Sequence, residues 1–197
     1  MNESNKQLNL DFSRRKDHME RYIALLRGIN VSGKNKIAMS ELKSGFLELG
    51  LEGVATYLNS GNVIFSSTAT DVSILLEEIE SMIKDRFGLE IPVFLISQRD
   101  LNEILQNSPD WWGDENKEIY DNLIFMISPL SYEEFYSEIG NPKAEYEKVQ
   151  HYGNAIFWSF SRKDYQKTNW WSKTANSNVS DKITIRTAGT VRKIAGM

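Results

Sequence analysis

The sequence predicts an α+β protein of two subdomains, the first ferredoxin-like (βαββαβ) and the second a smaller α+β unit. Three observations lead there. The chain has 197 residues, 41% hydrophobic and 25% charged, the make-up of a globular protein with one large domain or two small ones in contact. Its first hundred residues alternate short apolar runs with segments of helical period, in the order strand, helix, strand, strand, helix, strand. Its second hundred repeat that theme less cleanly. The expected boundaries are a flexible N-terminal extension over 1–20, the ferredoxin-like subdomain over 21–97, and the second subdomain, with a basic C-terminal segment, over 98–197.

Residues 1–20 are polar and show no period, which reads as an extension. Tyr22 to Ile29 is apolar enough for a buried strand, and a basic loop from Asn30 to Lys36 follows. A helix opens near Ser40, with Leu42, Phe46, Leu47 and Leu49 on one face, and Gly50 stops it. Two β-rich runs flank Asn59-Ser60-Gly61-Asn62, residues that reach positive φ cheaply, so a hairpin is expected. Thr70 or Asp71 can cap a second helix whose apolar face is Ile74, Leu75, Ile79, Met82, Ile83 and Phe87, ended by Gly88. Pro92 to Ile96 closes the unit as a strand.

The second half offers a helix over Gln98 to Gln106, a loop holding Trp111 and Trp112, and a strand over Ile119 to Ile127. Ser131 caps an acidic helix to Ile139, and strands are expected at Ala144 to Gln150 and Ala155 to Phe160. Helical patterns at Asp164–Trp171 and Thr190–Ala195 flank a short run, Lys182 to Arg186. This half reads as a degenerate duplicate of the first.

Composition removes whole classes of chemistry. With no Cys there is no disulfide, thiolate metal site or cysteine nucleophile, and two His, His18 and His151, leave little for zinc or a serine triad. Mean hydropathy is -0.43 and no apolar run approaches 18 residues, so no membrane span is expected. No basic stretch followed by an apolar core opens the chain, so no secretory signal is expected either, and the natural location is cytoplasmic. Net charge is -4, which argues against a dedicated nucleic-acid binder. The charge is uneven, however: Arg162 to Met197 holds eight Lys or Arg against two Asp, while Asp110 to Glu147 holds ten acidic residues against two Lys. Either the two stretches attract each other or the basic end faces an anion.

The sharpest motif is Gly28 to Lys34, which satisfies G-x-x-x-x-G-K after a strand. Asn35 stands where a P-loop needs a hydroxyl for magnesium, and the helix begins too late to turn its N-terminus on a phosphate. A nucleotide-hydrolysing loop is therefore not expected. Two readings remain: an anion-binding loop using Arg27, Lys34 and Lys36, or a turn with solvated charges. A second constellation sets Trp158, Trp170 and Trp171 beside Lys163, Lys167 and Lys173. It fits a single-stranded nucleic-acid groove, or tryptophans packing a core under solvated lysines. Glu77, Glu78 and Glu80, like Glu133 and Glu134, read as solvated helix faces, and His151 as a surface residue at a turn.

The segment from Arg21 to Ser67 closely resembles the bacterial proteins grouped as domain of unknown function 1697. There a strand ending LRGINV, a GKN-K loop, a helix opening M-x-E-L and a Y-x-x-SGNV-x-F hairpin recur in order. Here they are Leu26 to Val31, Gly33 to Lys36, Met39 to Leu42 and Tyr57 to Phe65. The run from Ile183 to Ile194 resembles the family's closing motif through Arg186, Thr190, Val191 and Lys193, with Thr187-Ala188 where an Asn-Trp pair commonly follows the Arg. The resemblance implies a cytoplasmic α+β protein of two subdomains and carries no activity or cofactor with it. It points to Arg27, Gly28, Asn30, Gly33, Lys34, Asn35 and Lys36, with the Asn59–Asn62 turn and Arg186.

These readings converge on non-catalytic binding of an anionic, phosphate-bearing small molecule or single-stranded nucleic acid, with no metal, cofactor or membrane involved. The ligand residues are Arg27, Gly28, Asn30, Gly33, Lys34, Asn35, Lys36 and Arg186. A phosphate-ester or nucleotide-acting enzyme is the alternative, and needs a base or metal carboxylate near the loop. A protein-interaction domain anchored by exposed Trp111 and Trp112 is the other. The fold is expected to place the loop after strand one and the connection before strand four at opposite sheet ends, so it does not itself assemble a pocket.

Overall fold

The computed structural model describes residues 19–69, 71–114 and 116–197. Residues 1–18, which hold most of the expected extension, lie outside this set, as does Thr70. Glu20, assigned above to the extension, is instead the first residue of a strand.

The first half runs β1 (Glu20–Leu26), α1 (Met39–Glu48), β2 (Glu52–Tyr57), β3 (Asn62–Ser67), α2 (Val72–Phe87) and β4 (Val93–Ser97). Its antiparallel sheet has the order β2-β3-β1-β4, the ferredoxin-like arrangement. Asp71 caps α2 by accepting from the Ser73 and Ile74 amides, and Gly88 ends it at φ +66°. Leu42 and Phe46 of α1 meet Leu75, Ile79 and Ile83 of α2 over one face of the sheet. Leu47 and Ile74, expected inward, are exposed, because each lies just off the stripe that reaches the sheet.

After α3 (Gln98–Gln106) the second half runs β5 (Ile119–Met126), α4 (Tyr132–Ile139), β6 (Glu147–Tyr152), β7 (Ala155–Ser161), α5 (Trp170–Asn176), β8 (Ile183–Thr187) and α6 (Ala188–Ala195). Its sheet order, β6-β7-β5-β8, repeats the first. β6 starts at Glu147 rather than Ala144, since Tyr146 and Glu147 both donate backbone N–H to the Lys143 carbonyl in a turn. The helical pattern at Asp164–Trp171 resolves into a 3-10 turn over Arg162–Lys167, a break, and then α5.

Register shows how far the repeat goes. Leu26 pairs with Val93 as Met126 pairs with Ile183, and Leu25 pairs with Asn62 as Phe125 pairs with Ala155. Leu26 N–H donates to Gly61 O and Met126 N–H to Asn154 O; Arg27 N–H donates to Pro92 O and Ile127 N–H to Lys182 O. Ser97 caps α3 and Thr187 caps α6, each accepting from the amide three residues on. The second subdomain is thus itself a ferredoxin-like unit.

Each sheet has its own helix pair on one face, and the other faces meet. The shared cluster joins Ile23, Leu25, Phe94 and Ile96 to Leu123, Phe125 and Phe157, with α3 and α6 flanking it. Trp112 is buried there and donates its indole N–H to Asn122 O at 2.8 Å, while Trp111 is half-buried. Neither is the exposed anchor expected of a partner-binding loop. The acidic and basic stretches do not attract through ion pairs: none joins 110–147 to 162–197 among the described residues. Glu147, 3% exposed, instead accepts from the Lys143 and Asn169 amides and the Trp158 indole at 2.7–3.0 Å, and from Trp170 N–H at 3.4 Å.

The hairpin before β3 is held against β1 so closely that Gly61 has no room for a side chain. Its φ is +78°, and a Cβ would lie 2.7 Å from Leu26 Cβ and 3.0 Å from Ile29 Cδ1. Gly61→Ala is expected to cost at least about 2 kcal/mol, read as a lowered urea midpoint with unchanged slope.

Candidate functional site

The chain leaves β1 at the same end of the sheet where α2 returns to β4, not at the opposite end. Arg27 N–H donates to Pro92 O at 2.9 Å, so the two connections are in contact. The β2–β3 hairpin is at that end as well, with Asn30 Nδ2 donating to Asn59 O at 2.9 Å. In an antiparallel sheet with this order, the ends of β1 and β2 and the start of β4 fall together. The fold therefore does gather these loops.

The loop is built by its asparagines. Asn30, at φ +55°, donates to Ile37 O and accepts from Ile37 N–H, both at 2.9 Å. Asn35, at φ +45°, donates to Gly28 O at 3.2 Å, and its own carbonyl accepts from Asn30 N–H. The sign of φ alternates from Gly28 (+66°) through Ile29 to Asn30, the kind of backbone that points successive N–H groups to one side. Among the described residues, the N–H groups of Gly28 and Ile29 donate to no protein acceptor. α1 begins only at Met39, well past Lys34.

A cavity of about 510 Å³ opens between this loop and the second subdomain. Arg27, Gly28, Ile29, Val31 and Ser60 line it from one side; Asn122, Trp158, Trp171, Thr174, Ala175 and the strand Ile183–Arg186 line it from the other. Of the residues predicted from sequence, Arg27, Gly28 and Arg186 border this space. Asn30 and Asn35 shape the loop from behind it, while Gly33, Lys34 and Lys36 are exposed outside its lining. Trp158 and Trp170 are core residues, and of the three tryptophans Trp171 alone is open to solvent, beside exposed Lys163, Lys167 and Lys173. Sequence reasoning missed Asn122, Thr174 and Thr184. The identical register of β4 and β8 is the signal that finds Thr184, two residues before Arg186 and on the same face.

Arg186 is the centre of the site. It is 8% exposed and has no carboxylate partner. Its Nε donates to Asn62 Oδ1 at 2.6 Å, one Nη to Thr184 Oγ1 (2.7 Å) and Ile185 O (2.9 Å), the other to Leu26 O and Ser60 O (both 2.9 Å). Burial, and then the Arg27 charge, push its pKa down to about 10, so it stays cationic at neutral pH without a counter-charge. Arg27 donates from Nε at 2.7 Å and from Nη2 to Ser180 O, leaving Nη1 without a protein acceptor among the described residues. Two hydroxyls are polarised in consequence. Thr184 Oγ1 accepts from Arg186 and Ser60 Oγ accepts from Asn62 Nδ2 at 3.1 Å, so each has its own hydrogen left to donate. The lining thus presents two cations and a set of free donors, with no Asp, Glu or His among its residues.

The internal repeat supplies a control. By register, Arg186, Asn62, Thr184 and Arg27 correspond to Ile96, Ala155, Phe94 and Ile127. All four counterparts belong to the shared apolar cluster. The same architecture closes with hydrocarbon at one end and at the other with two guanidinium groups, of which Arg27 has Asp181 nearby and Arg186 has no counter-charge, so the fold does not require the charge.

The family described as protein of unknown function (DUF1697) matches the chain over residues 19–157. The chain belongs to this family. A solved structure, described as the conserved bacterial protein SP0830 from Streptococcus pneumoniae, superposes with a TM-score of 0.80 at 32% identity, covering 90% of this chain and 98% of that one. No curated protein matches. The family match ends at Phe157, before the strand that carries Arg186, so the matched region holds the loop side of the cleft and, of its far wall, Asn122. No helix among the described residues is long and apolar enough to cross a membrane.

Proposed function

We propose that this protein binds a phosphate-bearing anion in the cleft between its two subdomains, in the cytoplasm and without catalysing a reaction on it. One observation supports this reading above all. Arg27 and Arg186 face a single cavity with no acidic residue in its lining, where the corresponding end of the repeat is apolar. A buried cation without a counter-charge, as Arg186 is, is costly, and an anion that supplies the missing charge recovers that cost. Arg27 Nη1, the Gly28 and Ile29 amides and the Ser60 and Thr184 hydroxyls are the donors such an anion would take, a set suited to phosphate oxygens. Arg186 contributes charge rather than hydrogen bonds, since all five of its N–H groups are used within the protein.

Calorimetric titration with inorganic pyrophosphate tests the reading. Saturable binding weakened at least tenfold by Arg27→Met is expected, because one charge-assisted contact contributes roughly 1.5–3 kcal/mol. The double change Lys34→Ala, Lys36→Ala is expected to alter affinity less than threefold, since neither side chain lines the cleft. No saturable binding by the wild-type protein contradicts the proposal.

A further inference from the structure

Phosphate chemistry accounts for the floor of the cleft and leaves its rim unexplained. Trp171, 42% exposed, and Val31, 57% exposed, border it from opposite subdomains, with Ala175 and Ile185 beside them. The indole is held in place rather than left loose: Phe160 and Tyr165 meet it nearly edge-on, with centroids at 5.7 and 4.9 Å, and its backbone N–H donates to Thr168 Oγ1. A fixed aromatic plane beside cations is the pairing that takes a base on one surface and its phosphate on the other. Asn122 adds a second pointer. It is 8% exposed and lines the cavity, and its Oδ1 accepts from no protein donor among the described residues, which leaves an acceptor open to a ligand N–H.

We infer that the cleft takes a nucleoside monophosphate, its base stacked on Trp171 and facing Val31, its phosphate at Arg27 and the Gly28–Ile29 amides. This rests on the anion-binding reading of the same cleft and names the ligand class. A cavity of about 510 Å³ has room for one nucleotide rather than a run of them. Asn122 Oδ1 serves as an acceptor for a base N–H, so bases with an amino group or ring N–H at the right edge are preferred.

Titrations of the full chain with ribose 5-phosphate and with AMP, GMP, CMP and UMP decide it. At least one nucleotide is expected to bind ten- to a hundredfold more tightly than ribose 5-phosphate. Trp171→Ala is expected to erase that margin while leaving ribose 5-phosphate affinity within twofold, and Trp171→Phe to keep most of it. Equal affinity for ribose 5-phosphate and all four nucleotides, or nucleotide affinity indifferent to Trp171→Ala, overturns the nucleotide inference and leaves the anion reading standing. Absence of binding by every phosphorylated compound overturns both. A single-stranded hexanucleotide that binds a hundredfold more tightly than any monophosphate overturns the mononucleotide and puts nucleic acid in the cleft.

Discussion

Arg186→Met is expected to lose pyrophosphate binding and to lower stability by about 2–4 kcal/mol. The stability loss arises because the Asn62 amide and the Leu26 and Ser60 carbonyls, gathered around the guanidinium, keep their burial and lose their donors. A single variant cannot separate this from a functional role, so the repeat is used to design a second one. Arg186→Ile with Asn62→Ala installs the side chains that occupy the corresponding positions, Ile96 and Ala155. Removing both partners of a buried polar pair is often close to neutral, whereas removing one is not. The double variant should therefore regain the part of the stability that the stranded Asn62 amide costs, with the Leu26 and Ser60 carbonyls still lacking their donor, measured by urea denaturation, and still fail to bind pyrophosphate. A double variant that binds like wild type would mean that the buried cation serves folding alone.

Glu147→Leu is expected to be the most damaging substitution away from the cleft, at about 3–5 kcal/mol. Among the described residues its carboxylate is the only acceptor for the Trp158 indole N–H and the Asn169 backbone N–H, and it is almost wholly buried. Leucine matches the burial but leaves several N–H groups unsatisfied in a dry environment, each costing roughly 1–3 kcal/mol. These bonds tie β6 to the start of α5, which carries Trp171 into the cleft. A thermal melt lowered by about 10 °C is expected for a chain of this size. A shift of less than about 2 °C would show that water satisfies these groups instead.

Much of the fold is legible in the sequence because it is local. Helix stripes such as Leu75, Ile79 and Ile83, the Asp71 cap and the Gly88 stop follow from spacing and backbone preference, and so does the hairpin at Asn59–Asn62. The places where the reading fails are set by packing. Ile74 and Leu47 have the right residue type but the wrong angle to the sheet, and Trp112 sits in a polar loop that the two subdomains close over. Arg27 and Gly28 stand out in sequence through their motif, and Arg186 through the family's closing motif. That they share one cavity depends on how two repeats 100 residues apart dock face to face, which no local period encodes. The lysines of the same motif, Lys34 and Lys36, look equivalent to Arg27 in sequence and are separated from it by the turn that Asn30 and Asn35 hold.

The central claim is that the cleft between the repeats, and not the exposed lysine turn, is where the anion binds. A crystal structure grown with pyrophosphate tests it most directly. The account predicts density within hydrogen-bond distance of the Gly28 and Ile29 amides and Arg27 Nη1, with the Thr184 hydroxyl turned toward it. An empty cleft with pyrophosphate seated on Lys34 and Lys36 would contradict it.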